Sequence, residues 1–297
     1  MAMVEPTTTV PADTAAVAAD PDDGAPDGAA GPGARRRRPR VSASSIVLPV
    51  LAILAVFAVW KLVIVVFDMK AYILPEPWDV FTRMVDERSR LLEHTWPTLY
   101  EIGWGFALSV LVGIPLAVLI VSSKYIDKAL SPVLVASQTV PKVAIAPLLI
   151  VWFGFGSAPK IIIAFLIAFF PVVISTTVGL RSVPGEMIDL ARSMGAGRLA
   201  LFVHFRFPHA LPSVFGGLKV AITLASIGAI VGEFVGSDKG LGYLLLVSNG
   251  RLDTEMLFAA IFVLVFIGIV LYTLLDVLER LVVSWQPPSH LGDTATF

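Results

Sequence analysis

The chain contains no cysteine. Disulfides, thiolate nucleophiles and cysteine-bound metals are therefore excluded. Charge is also sparse. Only 15% of the 297 residues are charged, while 56% are hydrophobic; a soluble domain carries roughly 25% charged residues. The formal net charge of −1 leaves no bulk positive charge to hold a nucleic acid, so that partner is not expected. His94, His204, His209 and His290 have no metal-ligand spacing, so no metal site is expected. A Gly-x-x-x-x-Gly-Lys-Ser/Thr phosphate loop is missing, so the chain does not hydrolyse ATP by the usual route. There is no serine nucleophile elbow, and the Gly195-Ala196-Gly197 stretch follows no strand and reads as a turn.

Long apolar runs take the place of these features, and the mean hydropathy is +0.83. Residues 1–40 are rich in Pro, Gly, Ala and Asp, bury too little to offset their ordering entropy, and read as a disordered tail. The tail ends in a basic cluster, Arg35 to Arg38 with Arg40. Apolar runs follow at about 46–67, 99–121, 130–152, 160–180, 212–235 and 257–283. Each meets the ~20 residues a helix needs to cross a bilayer core. The expectation is an all-α membrane protein of six transmembrane helices over 41–285, with a short tail at 286–297. The first run is too long for a signal-peptide core and lacks a cleavage site. Between the first two runs, Val80, Met84 and Val85 recur at helical spacing, which predicts an interfacial helix with Trp78 and Trp96 as anchors.

The Arg35–Arg40 cluster places the N-terminus in the cytoplasm by the positive-inside rule, and an even number of spans returns the C-terminus there. Residues 181–211 then form a cytoplasmic loop. Within it, Met187, Leu190, Ala191 and Met194 share one helical face opposite Glu186, Asp189 and Arg192. Gly195 and Gly197 are expected to break that helix. A second short helix, with Leu199, Phe202 and Val203 on one side, is expected to end at Pro208 and Pro212. Its oily face has three destinations open to it: the protein's own helices, the membrane surface, or a groove on a cytoplasmic partner.

The loop resembles the EAA loop of permease subunits of ATP-binding-cassette importers. Asp189-Leu190-Ala191 stand where that family has Glu-Ala-Ala; three residues lead to Gly195, and nine more to Phe205-Arg206-Phe207-Pro208. The acid and one alanine differ from the family pattern, while the spacing holds. "YILPEPWDVF" (72–81), "VPKVAIAPLLIVWFGFG" (140–156), "FFPVVISTTVGLRSVPGEMIDLARSMGA" (169–196) and "GEFVGSDKGLGYLL" (232–245) are similar to permeases of the sulfonate, taurine, nitrate and thiamine-precursor importers. The likeness covers about residues 70–285 and excludes the tail.

The resemblance implies a type I importer permease fold of the methionine-importer (MetI-like) kind in a bacterial plasma membrane. It implies a second permease chain, giving a homodimer, two cytoplasmic ATPase subunits and an extracytoplasmic substrate-binding protein. No cofactor is implied in this chain; ATP and Mg belong to the ATPase subunits. The expected solute is small and anionic or heterocyclic. The docking residues implied are Glu186, Asp189, Ala191, Gly195, Ala196 and Arg198. Gln138, Thr139, Lys142 and Glu233 are candidates for the translocation path, each with a plainer alternative. Glu233 is equally suited to hydration near the interface or to pairing with Lys239. Lys142 suits snorkelling, and the hydroxyl and amide groups suit interhelical hydrogen bonds. An ion-gradient-driven secondary transporter is the alternative class; it predicts inverted repeats and paired intramembrane charges.

Overall fold

A computed structural model describes residues 43–285, and the expectations for 1–40, for the 286–297 tail and for His290 lie outside that range. Every regular element among the described residues is helical. In helix α1 (Ala43–Val66) every residue from Leu51 to Val59 is apolar and exposed, as on a helix surrounded by lipid. Over its second half, one aromatic contact fixes it: Trp60 packs on Phe258 and Phe262 of α11 (Thr254–Val282), with ring centroids 5.2 and 6.0 Å apart. The expected interfacial helix is α2 (Pro77–Asp86), with Pro77 opening its first turn and Val80 buried. Trp78 is 71% exposed. Arg83 ties α2 to the start of α11, 3.0 Å from Asp253. Burial opposes the charge on Arg83, but the Asp253 hydrogen bond and carboxylate outweigh it and raise its pKa.

The core is a packed trio: α3 (Arg88–Ser122), α6 (Ser157–Arg181) and α9 (Phe207–Gly236). Small residues set the approach. A Cβ on Gly228 would lie 2.6 Å from Ala164 Cα, and one on Gly105 would meet the Ala164 side chain. Between apolar helices in lipid, such close backbone packing replaces the hydrophobic effect as the source of association. The outer faces stay greasy: only 17% of the apolar window of α11 is buried in protein.

Among the described residues, four helices are long and apolar enough to cross a membrane: α3, α6, α9 with the helical turns leading into it, and α11. The expected span at 130–152 is not one straight helix. It consists of α4 (Lys124–Gln138) and a second arm, Lys142–Phe153, that ends in α5 (Ala146–Phe153), bent by 79°. Pro141 explains the break, since it lacks an N–H and disfavours helical backbone at the residue before it. Counting that pair gives five spans; the described apolar part of α1, Val50–Val66, is shorter than the 18 residues of a span.

The second loop helix also departs from expectation. α8 (Arg198–Leu201) does not stop at Pro208 or Pro212; it runs through a π-turn, Phe202–Arg206, directly into α9. A π-turn widens the backbone ring and accommodates the N–H that Pro208 lacks, so the chain bends without breaking. Finally, α10 (Leu241–Gly250) is a short helix between α9 and α11 that apolar-run counting did not separate.

Candidate functional site

The segment between α6 and α9 begins with α7 (Gly185–Ser193), the amphipathic helix expected at 186–194. Its end is a Schellman motif. The Gly195 N–H donates to Arg192 O at 2.9 Å and the Ala196 N–H to Ala191 O at 3.0 Å, with Gly195 at φ +84°. A left-handed residue at this position favours glycine. The expectation that Gly195 makes a turn therefore has a backbone reason, although a Cβ there would meet nothing within 4 Å in this chain. Gly197 differs from expectation: its φ is −71°, open to any residue, and it serves as the extended N-cap of α8.

The apolar face of α7 is divided. Ala191 is buried against its own chain and Ile188 is half-buried. Met187, Leu190 and Met194, at i, i+3 and i+7, point outward with 43, 64 and 79% exposure, and Leu199 joins them at 76%. Glu186, Gly195 and Arg198 are exposed and Ala196 is half-buried. Asp189 pairs loosely with Arg192 at 3.5 Å, with both side chains more than half exposed. Of the six expected docking residues, Ala191 alone is enclosed.

The other candidate residues separate into two places. Gln138, Thr139 and Lys142 cluster at the bend between α4 and α5. All three are placed by local bonds: Lys142 Nζ donates to Gln138 O at 3.2 Å and lies 4.5 Å from the Phe170 ring centroid, and Thr139 Oγ1 donates to Ala136 O. Glu233 of α9 is in a different environment from this exposed bend. It is 1% exposed, so protein rather than water surrounds it. It is not paired with Lys239 or Lys142. Thr98 Oγ1 donates to its Oε1 at 2.6 Å and the Gly242 N–H to its Oε2 at 2.5 Å. The Leu241 N–H donates to Thr98 Oγ1 and the Gly240 N–H to His94 Nδ1. Side chains of α3 and α9 thus satisfy the free N–H groups that open α10, and the carboxylate lies where the helix dipole favours negative charge.

Two residues complete this cluster that sequence reasoning did not single out. Lys160 of α6 and Glu101 of α3 are 5% and 0% exposed. Lys160 Nζ lies 2.5 Å from Glu101 Oε1 and donates to Ser237 Oγ at 2.9 Å. The Glu101 contact is an ion pair without hydrogen-bond alignment, and both its oxygens lack a hydrogen-bond partner. A second missed network joins α9 to α11: Lys219 Nζ lies 2.5 Å from Asp276 and 2.6 Å from Glu279, and Arg280 pairs with Asp276 at 2.9 Å. The available signal was an ionisable residue inside an apolar run, which marks a partner or a function by default. Glu101, Lys160, Lys219 and Asp276 all carried that signal.

Residues 109–285 match the family model described as "Binding-protein-dependent transport system inner membrane component". The chain is 40% identical over 242 residues to the riboflavin transport system permease protein RibX of Chloroflexus aurantiacus, covering 80% of this chain and 90% of that one. It is 35% identical over 239 residues to the formylaminopyrimidine transport permease protein ThiX of Halalkalibacterium halodurans, covering 80% and 95%. In fold it is similar to a chain of the inward-facing MetNI methionine ABC transporter, with a TM-score of 0.60 at 18% identity over 66% of this chain and 98% of that chain. On the family match and these two relatives, the chain belongs to the family of binding-protein-dependent ABC importer permeases, the membrane-spanning component of the transporter.

Proposed function

We propose that this permease works as a homodimer with two ATPase subunits, and that α7 is its docking lever. The observation that carries this is the exposed row Met187, Leu190, Met194 and Leu199 beside exposed polar groups. Met187, Leu190 and Met194 sit on α7, outside the long apolar helices, with Leu199 at the start of the turns that lead into α9, and the chain's own core takes only the Ala191 side. A groove on a cytoplasmic ATPase covers it. Glu186, Asp189 and Arg198 then make the polar rim, and the left-handed Gly195 turn fixes the angle at which the chain leaves the groove. ATP and Mg act in that partner. Closure of the two ATPase subunits moves the levers as rigid bodies and shifts the membrane helices between two states. Loop residues lie in the cytoplasm and both termini with them, while a binding protein delivers solute at the opposite side. Gln138, Thr139 and Lys142, at the exposed bend between α4 and α5, are the proposed path residues. Glu233 is assigned here a holding role at α10, because its bonds are all internal.

The proposed solute is a small heterocycle of the riboflavin or formylaminopyrimidine-like class. Support comes from the names of the two relatives at 40% and 35% identity. Sulfonate and nitrate are the other solutes that the loop motifs suggest. A binding protein co-purified with its ligand and read by mass spectrometry decides among these.

The docking role is tested with Gly195→Glu. The space around Gly195 is open within the chain, so the variant is expected to insert into the membrane while losing ATPase co-purification and uptake in proteoliposomes. Normal co-purification and uptake would overturn the docking reading.

A further inference from the structure

At the α7 end of the bundle is a cavity of about 230 Å³ whose wall is cationic. Lys124 comes from the start of α4, Arg181 from the end of α6 and Arg206 from the π-turn before α9. Ile120 and Val121 of α3, Leu180 of α6 and Ile188 of α7 supply apolar lining. Asp127 is the one acid in the lining. Its Oδ1 already accepts from Arg181 Nη2 at 2.7 Å and from Ser131 Oγ at 2.6 Å. Three cations against one carboxylate leave a net charge of +2. Among the described residues, Lys124 and Arg206 have no carboxylate within ion-pair distance, and Arg206 is half-buried. The charged networks elsewhere in the protein are built differently: Lys219 and Arg280 meet two carboxylates, and Lys160 meets one with a second nearby.

We infer that this cavity is a binding site for a phosphate-class oxyanion, either the phosphodiester headgroup of an anionic lipid or free phosphate. The chemistry is direct. Arginine and lysine supply charge-assisted donors to phosphate oxygens, and basic pockets between helices near the cytoplasmic surface suit anionic headgroups. The apolar lining takes the methylenes next to such a headgroup. The placement gives the ligand a consequence. Arg181 opens the segment that carries α7 and Arg206 closes it, while Lys124 belongs to α4. A bound oxyanion ties both ends of the segment to α4. Binding does not depend on the docking role of α7; only an effect on transport does.

The test uses the complex purified from membranes and exchanged into nanodiscs of phosphatidylcholine with or without phosphatidylglycerol. Co-retained lipid is read by native mass spectrometry, and a thermal shift with inorganic phosphate is read in parallel. The double variant Lys124→Gln/Arg206→Gln is compared with wild type, with Arg206→Lys as the charge-conserving variant and Lys128→Gln as a neighbour outside the cavity. If a lipid headgroup is the ligand, wild type and Lys128→Gln retain phosphatidylglycerol and the double variant loses at least about tenfold in retention, since it removes two charge-assisted contacts and one alone is worth about that factor. If free phosphate is the ligand, retention is equal but phosphate raises the melting temperature of wild type and Arg206→Lys, and not of the double variant. Equal behaviour of wild type and double variant in both measurements overturns the site. A folded double variant that loses ATPase co-purification while matching wild type in both measurements also overturns it, and assigns the cations to the ATPase contact instead. Because Gly195→Glu leaves the cavity intact, it is expected to retain lipid or phosphate, so failure of the docking reading and failure of this site are distinguishable.

Discussion

At the residue scale, Glu233 is the side chain on which most depends. It receives the Thr98 hydroxyl and the Gly242 N–H, and the Thr98 hydroxyl in turn receives the Leu241 N–H. Removing the carboxylate leaves these buried donors without an acceptor, a loss of about 1–3 kcal/mol for each unsatisfied group. Glu233→Ala is therefore expected to lower the melting temperature of the purified chain sharply. Glu233→Gln keeps an acceptor and should do less harm. Equal melting of the alanine variant and wild type would show that the network is not structural. Gly240 belongs to the same network: its φ is +110° and a Cβ there would run into the Glu233 carboxylate. Gly195 is the contrasting case. Its φ of +84° makes Gly195→Ala strained by about 1–2 kcal/mol, but no neighbour is struck. The strain falls on an exposed turn with no neighbour struck, so the alanine variant should melt only a few degrees below wild type while the Ala196 N–H exchanges faster with deuterium.

At the element scale, the contact between α6 and α9 is set by small residues rather than by large ones. Gly217 faces Ser175, and Gly228 faces the Ala164 backbone. Overpacking a tight contact costs roughly 1–3 kcal/mol, and here the obstacle at Gly228 is main chain that cannot rotate away. Gly228→Leu is expected to separate the helices and reduce the yield of folded chain. Gly216→Leu, one residue from Gly217 and with nothing within 4 Å, should not. Inversion of that order would place the packing face elsewhere. The long helices themselves were legible because bilayer thickness imposes a length that any apolar run must meet. α7 was legible because its spacing is helical and its glycine closes it. The bend at Pro141 and the passage through Pro208 were not, although both prolines were visible. A proline removes one hydrogen bond in either setting, and whether the chain breaks or only widens into a π-turn depends on neighbouring packing. The partners of Glu233 lay equally out of sight. An acid in a span announces that it has a partner, but Thr98 is 135 residues away in sequence and meets it only through the fold.

At the scale of the whole molecule, the outstanding property is direction. α2, α10 and the Glu233 network share one end of the bundle, through the Arg83–Asp253 and Gly240–His94 contacts. α7 and the cationic cavity share the other, where α6 ends and α9 begins. The proposed orientation puts the α7 end in the cytoplasm, on the strength of the Arg35–Arg40 cluster and the basic residues of 181–211. The lack of cysteine makes this directly measurable, because any introduced thiol is unique in the chain. Asp238→Cys lies in the turn before α10 and Ser193→Cys at the exposed end of α7; both positions are outside the buried core. A membrane-impermeant maleimide added to intact cells with a permeabilised outer layer should label Asp238→Cys and leave Ser193→Cys untouched until the inner membrane is lysed. Opposite labelling would invert the molecule and place α7 where no ATP-driven partner can reach it. Ser193 precedes and Asp238 follows α9, a helix long enough to cross the membrane, so the two thiols are expected on opposite sides. Labelling of both thiols in intact cells would mean that α9 does not cross the bilayer, and the lever would then have no fixed helix to move.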